Sequence, residues 1–97
     1  MIPNKVKIGS IIYDIDLVDC DNSEFSELKL FGSIDHIKNK ITIVKSLNKQ
    51  RTWQTLFHEV LHAIDFDYQT NLSEENLTRL ANGFYQVLID NNFLHNI

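Results

Sequence analysis

The chain has 97 residues, of which 43% are apolar and 23% charged, and its net charge at pH 7 is −4. This length fits one small domain with a thin hydrophobic core, and the composition is that of a folded, soluble protein. The acidic balance excludes the basic surface that direct binding to nucleic acid requires. We therefore expect a single domain spanning residues 1–97 and no nucleic-acid partner.

Cysteine content and hydropathy restrict the site chemistry and the location. Cys20 is the only cysteine, which excludes an internal disulfide and a cysteine-rich zinc site. The first residues lack the apolar segment of a secretory signal, and no apolar run approaches membrane-spanning length. The sequence therefore predicts a cytoplasmic protein without a membrane partner.

Short alternating segments in the first half predict two β-hairpins. Residues 5–8 and 11–18 flank a Gly-Ser pair, which favours a tight turn. Residues 34–37 and 41–44 flank Lys-Asn-Lys, a second predicted turn. Between the hairpins, a polar break precedes a possible short helix at 23–30, capped by Ser23.

Two longer segments with helical periodicity follow the hairpins. The first spans about 49–66, and Ser73 is a suitable N-cap for a second helix that reaches about residue 90. Strands first and helices last indicate an α+β fold, in which a small antiparallel sheet of two hairpins precedes two packed helices.

The first predicted helix contains His58-Glu59-Val60-Leu61-His62, an H-E-x-x-H motif. Histidines four residues apart lie on one helix face, so both imidazoles can reach one Zn²⁺ ion. Glu59 lies on the same turn and can accept a proton from a zinc-bound water. The motif is typical of zinc hydrolases, most often peptidases, and its apolar flanks favour an interior site over a surface coincidence.

A catalytic zinc site needs a third protein ligand, and the second helix offers one. Its predicted apolar stripe (Leu77, Leu80, Ala81, Phe84, Val87 and Leu88), extended backwards, reaches Glu74. Glu75 shares the opposite face with Thr78, Arg79, Asn82 and Gln86. We therefore expect Glu74 to face the core and to bind the metal, with Glu75 the next choice. The remaining possibility is that both are helix N-terminal charges stabilised by the helix dipole.

Other candidate ligands are weaker. Asp65, seven residues after His58, could bind the metal or hydrogen-bond a coordinating histidine. The longer motif with a third histidine is excluded, because Tyr68 stands where that histidine would be. His36 and His95 are better explained as solvated side chains.

Taken with the hairpins, Gln54–Ile64 and the Ser73-Glu74-Glu75 start of the second helix resemble the ImmA/IrrE-like zinc metallopeptidases, in particular the short versions found in bacteriophages and mobile elements. The resemblance spans roughly residues 32–92. It implies zinc held by His58, His62 and Glu74, a gluzincin-like set. It also implies that Glu59 is the general base, that the protein acts in the bacterial host cytosol, and that the substrate is a protein or peptide such as a repressor. The chain lacks the longer helical extensions and the added domains of better-understood members.

Three functions remain open from the sequence. The first is a peptidase whose extended substrate lies along the 34–44 hairpin; Tyr68, Tyr85 and His36 could stabilise its oxyanion, and none is assigned that role. The second is a catalytically silent, zinc-stabilised binding module, such as an antirepressor or inhibitor. The third is an amidase acting on a small molecule or a cell-wall peptide. A structural zinc site needs no general base, so Glu59 favours an enzyme.

Overall fold

Across the residues that the structure describes, a four-stranded sheet and two helices form an α+β fold, which confirms the predicted class. The computed structural model describes residues 2–19 and 31–93, so the predicted short helix at 23–30 lies outside the described residues. The elements in chain order are β1 (Lys5–Ile8), β2 (Ile11–Val18), β3 (Gly32–Asp35), β4 (Lys40–Val44), α1 (Lys49–Tyr68) and α2 (Glu74–Asp90).

The sheet is mostly antiparallel, as predicted, but it is not strictly two hairpins, because one of its strand pairs is parallel. Both hairpins form, but the strand order is β1-β2-β4-β3, and β2 pairs with β4 in parallel, with Ile15 opposite Ile41. Local turn signals specify each hairpin, whereas the junction between hairpins depends on long-range packing. Among the strands of residues 2–19 and 31–93, β3 therefore lies at an edge of the sheet.

The two hairpin turns are set by local chemistry. Gly9 adopts a left-handed conformation with φ of 60° in the tight turn that connects β1 to β2. In the second hairpin the Asp35 side chain accepts backbone hydrogen bonds from Ile37 and Lys38, an arrangement that ends a strand. β3 therefore spans 32–35 rather than 34–37, and Ile37 lies exposed in the turn.

The core lies between one face of the sheet and α1. Ile41 and Ile43 of the central strand β4 are fully buried, and Leu56 and Ala63 of α1 pack against them. This contact fixes α1 across the sheet and turns its other side towards α2. Within residues 2–19 and 31–93, neither helix combines the length and the apolar character needed to cross a lipid bilayer.

Both helices begin at side-chain caps. Asn48 accepts a hydrogen bond from the backbone of Arg51 at 2.8 Å, and Ser73 accepts one from Asn76 at 3.1 Å. Gln69 ends α1 in the left-handed conformation, and only residues 69–73 connect the two helices. Since α2 starts directly after Ser73, its first residue is held close to α1.

Candidate metal centre

His58 and His62 lie one helical turn apart on the face of α1 that is turned towards α2. Their ring centroids are 4.8 Å apart, and their side chains are 25% and 29% exposed. Partial burial restricts the rings while leaving them accessible from solvent. The spacing predicted from the sequence therefore places both imidazoles on one face.

Glu74, the first residue of α2, completes the group. Its two carboxylate oxygens lie 2.9 Å from His58 Nε2 and 3.0 Å from His62 Nε2. Its side chain is 63% exposed, so the expectation that Glu74 faces the core was wrong. Glu74 instead lies at the solvent-exposed rim, where the start of α2 meets the middle of α1. We call His58, His62 and Glu74 the metal group.

The metal group could hold a metal ion. One donor atom from each residue lies within 4.8 Å of the other two. A tetrahedral ion such as Zn²⁺ places its nitrogen and oxygen ligands about 3.4 Å from one another. The observed nitrogen–oxygen distances of 2.9 and 3.0 Å need to open by only a few tenths of an ångström. Two imidazoles and a carboxylate also suit a borderline-soft divalent ion.

Electrostatics favour the protonation states that metal binding requires. Burial lowers the pKa of His62, although the neighbouring Glu74 carboxylate acts in the opposite direction. A lowered pKa favours the neutral imidazole, which is the form that binds metals. Burial also raises the pKa of Glu59 to about 7, and the negative charge of Glu74 adds to this shift. A carboxyl group with a pKa near neutrality can both accept and release a proton.

Glu59 is buried between α1 and the start of β3, with 6% of its surface exposed. A Cβ atom added to Gly32 would lie 3.6 Å from Glu59 Oε2 and only 2.6 Å from the Thr55 methyl carbon. The missing side chain at Gly32 therefore allows β3 to approach α1 where Glu59 lies. Composition and spacing did not identify Gly32 as part of the site, because its contact with α1 joins residues far apart in the chain.

A cavity of about 270 Å³ opens beside the metal group and is lined by His58 and Glu59. Thr78 and Asn82 of α2 also line it, although the sequence placed them on the face away from the core. The buried face of α2 consists of Leu77, Ala81 and Tyr85, while Leu80, Phe84 and Val87 are exposed. Hydropathy favours the most apolar stripe, so it cannot identify a helix face that borders a polar cavity.

The competing ligands make other contacts. Glu75 pairs with Arg79 at 2.6 Å. Asp65 accepts hydrogen bonds from the Thr70 hydroxyl and, at 2.8 Å, from the backbone of Leu72, so it holds the connection between the helices. Neither residue belongs to the metal group.

The three residues considered for oxyanion stabilisation lie away from the cavity lining. His36 stacks on the ring of Phe66, Tyr85 packs in the core beside Phe57, and Tyr68 lies over the first hairpin turn at Gly9. His95 lies outside the described residues.

Comparison of the chain with protein-family models, with curated proteins and with solved structures finds no match. The resemblance to ImmA/IrrE-like metallopeptidases therefore stays a prediction. The features that bear on function are the geometry of the metal group, the burial of Glu59 and the adjoining cavity.

Proposed function

We propose that this protein is a zinc-dependent peptidase in which the metal group holds the ion and Glu59 is the general base. One observation carries the proposal. Glu59 directly follows a residue of the metal group, is buried, and lines the same cavity as His58. A site that only stabilises the fold has no use for a proton acceptor at this position.

The chain's own residues supply the proton transfers. Bound zinc would polarise the scissile carbonyl and lower the pKa of a bound water towards about 7. Glu59 accepts the proton of the attacking water and later passes it to the leaving amine. Its raised pKa, about 7, suits both transfers, because proton exchange is most effective when the pKa lies near the working pH.

An extended peptide is the substrate that best fits the surroundings of the site. The edge strand β3 begins at Gly32, which lines the cavity. Backbone hydrogen bonds to an edge strand hold a peptide in an extended conformation and depend little on most of its side chains. We propose a protein substrate in the host cytosol, and the resemblance noted from the sequence suggests a repressor of a phage or mobile element.

Glu59→Gln tests the enzymatic role, because it keeps the shape of the side chain and removes the proton acceptor. The variant should retain zinc and fold while losing hydrolysis. The assay co-expresses either form with candidate repressors and identifies fragments by mass spectrometry. Equal cleavage by the wild type and by Glu59→Gln contradicts the assignment of the base.

A second candidate function is a zinc-stabilised binding module. It is favoured by one observation: the metal group joins α1 to α2, so an ion would cross-link the two helices of a small domain. The same co-expression assay separates the two functions. Full derepression by Glu59→Gln without any fragments supports the binding module over the peptidase.

A further inference from the structure

The cavity beside the metal group contains one cationic residue, Arg51, among the described residues that line it. Arg51 lies on the same face of α1 as Thr55 and His58, two turns before the metal group. The guanidinium carbon is 5.1 Å from the centroid of the Phe31 ring, within the range of a cation–π contact. Phe31, which also lines the cavity, therefore holds the positive charge beside it.

We propose that Arg51 selects substrates with an acidic side chain near the scissile bond. This inference rests on the proposed peptidase function and names its substrate class. A guanidinium presents a planar fork of donors that matches a carboxylate. The other side chains that line the cavity between Arg51 and Glu59 are neutral, among them Gln54, Thr55 and Asn82.

The helix geometry also sets the position of the acidic residue. His58 lies seven positions after Arg51, which corresponds to about 10.5 Å along an α-helix. An extended peptide advances about 3.3 Å per residue. The selected Asp or Glu therefore lies about three residues from the scissile bond, on the side of the cavity that faces Phe31.

The net charge of the protein cannot explain a preference for acidic substrates, so the preference must come from a nearby cation. At −4, the chain as a whole repels acidic peptides. An enrichment of Asp or Glu at one substrate position must then arise from a nearby cation. Because Arg51 is exposed to solvent, we expect a preference of about fivefold over the neutral amide.

The test uses the full-length, zinc-loaded protein and a degenerate peptide library whose cleavage products are sequenced by mass spectrometry. The wild type should enrich Asp and Glu about three residues from the cleavage site. Arg51→Ala should abolish the enrichment, and Arg51→Glu should replace it with Lys and Arg. Lys49→Ala removes another exposed cation of α1, one that does not line the cavity, and should leave the preference unchanged.

A binding experiment distinguishes failure of this inference from failure of the proposed function. Immobilised, zinc-loaded Glu59→Gln is incubated with the same library, and retained peptides are sequenced with and without the additional change Arg51→Ala. Acidic enrichment that depends on Arg51 supports the inference even if no peptide is cleaved, an outcome that overturns only the peptidase. Cleavage or retention with no acidic preference, or no retention at all, overturns the inference.

Discussion

The metal group and a second polar cluster, which forms where the end of α1 meets the sheet, differ in the contacts that their polar atoms make. At the end of α1, the Tyr13 hydroxyl donates to Asp67 at 3.2 Å, and the His36 ring stacks on Phe66 with centroids 4.0 Å apart. We call these four residues the tyrosine cluster. In the metal group, by contrast, two imidazole nitrogens each contact an oxygen of the same carboxylate.

The difference shows that histidine and carboxylate in proximity do not make a metal site. In the tyrosine cluster the carboxylate accepts a phenol hydrogen bond, and the imidazole presents its flat face to an aromatic ring. His36 Nδ1 is even buried without a hydrogen-bond partner among the described residues. Metal binding requires donor atoms that converge on one point, and within the described residues only the metal group provides three.

Removing one histidine from each cluster should give the largest contrast. His58→Ala deletes a ligand, so zinc affinity should fall by at least about a hundredfold, since loss of a mere outer contact already costs 10- to 100-fold. His36→Ala should leave zinc affinity unchanged. Competition titration with a chromogenic chelator measures both. Equal affinities for the two variants would refute the metal group.

Chelation extends the comparison to stability. An ion bound only by the folded state stabilises it by about 2.7 kcal/mol at a hundredfold excess over its dissociation constant. For a domain of this size, that lowers the melting temperature on chelation by on the order of 10 °C. His58→Ala should show no such shift, whereas His36→Ala should retain it. Calorimetry with and without chelator is the measurement, and a wild-type melting temperature insensitive to chelation contradicts the prediction.

The sequence predictions succeeded where the interactions are local in the chain and failed where they join distant segments. Spacing within one helix suffices for His58 and His62, and the Ser73 cap correctly starts α2. The choice of Glu74 over Glu75 agrees with the metal group, but its supposed burial does not. The parallel β2–β4 pairing and the role of Gly32 depend on contacts between distant segments. No local periodicity encodes such contacts.

Gly32→Ala should disturb the metal-group side of α1 and leave the tyrosine cluster intact. The added methyl would meet the Thr55 methyl at 2.6 Å and the backbone oxygen of Thr42 at 2.9 Å, so β3 or α1 must shift. Overpacking of this kind costs about 1–3 kcal/mol, and the shift should also lower hydrolysis by displacing Glu59.

Gly83→Ala is the matched control for that substitution. Nothing lies within 4 Å of a Cβ added at Gly83, which is in the interior of α2. Alanine there should stabilise the helix by about 0.5–1 kcal/mol. Urea unfolding of both variants decides the point: a Gly32→Ala variant as stable as the wild type would mean that β3 does not need the close approach.

The smallest expected effect comes from the tyrosine cluster, through Tyr13→Phe. Burial raises the pKa of the Tyr13 phenol, and the charge and hydrogen bond of Asp67 raise it further. Loss of this hydrogen bond should cost about 1 kcal/mol near neutral pH.

Because the folded state keeps the phenol proton above pH 10 while the unfolded state releases it, the free energy of unfolding should fall as the pH rises through 10. Tyr13→Phe lacks this contribution, so the two stability curves should converge as the pH rises above 10, as measured by urea unfolding. The control Tyr68→Phe removes an exposed phenol but leaves the Tyr13–Asp67 hydrogen bond in place, so its stability should still fall as the pH rises above 10. Parallel curves for wild type and Tyr13→Phe would mean that the buried phenol does not couple folding to pH. The tyrosine cluster would then contribute packing alone, and the contrast with the metal group would rest on metal binding.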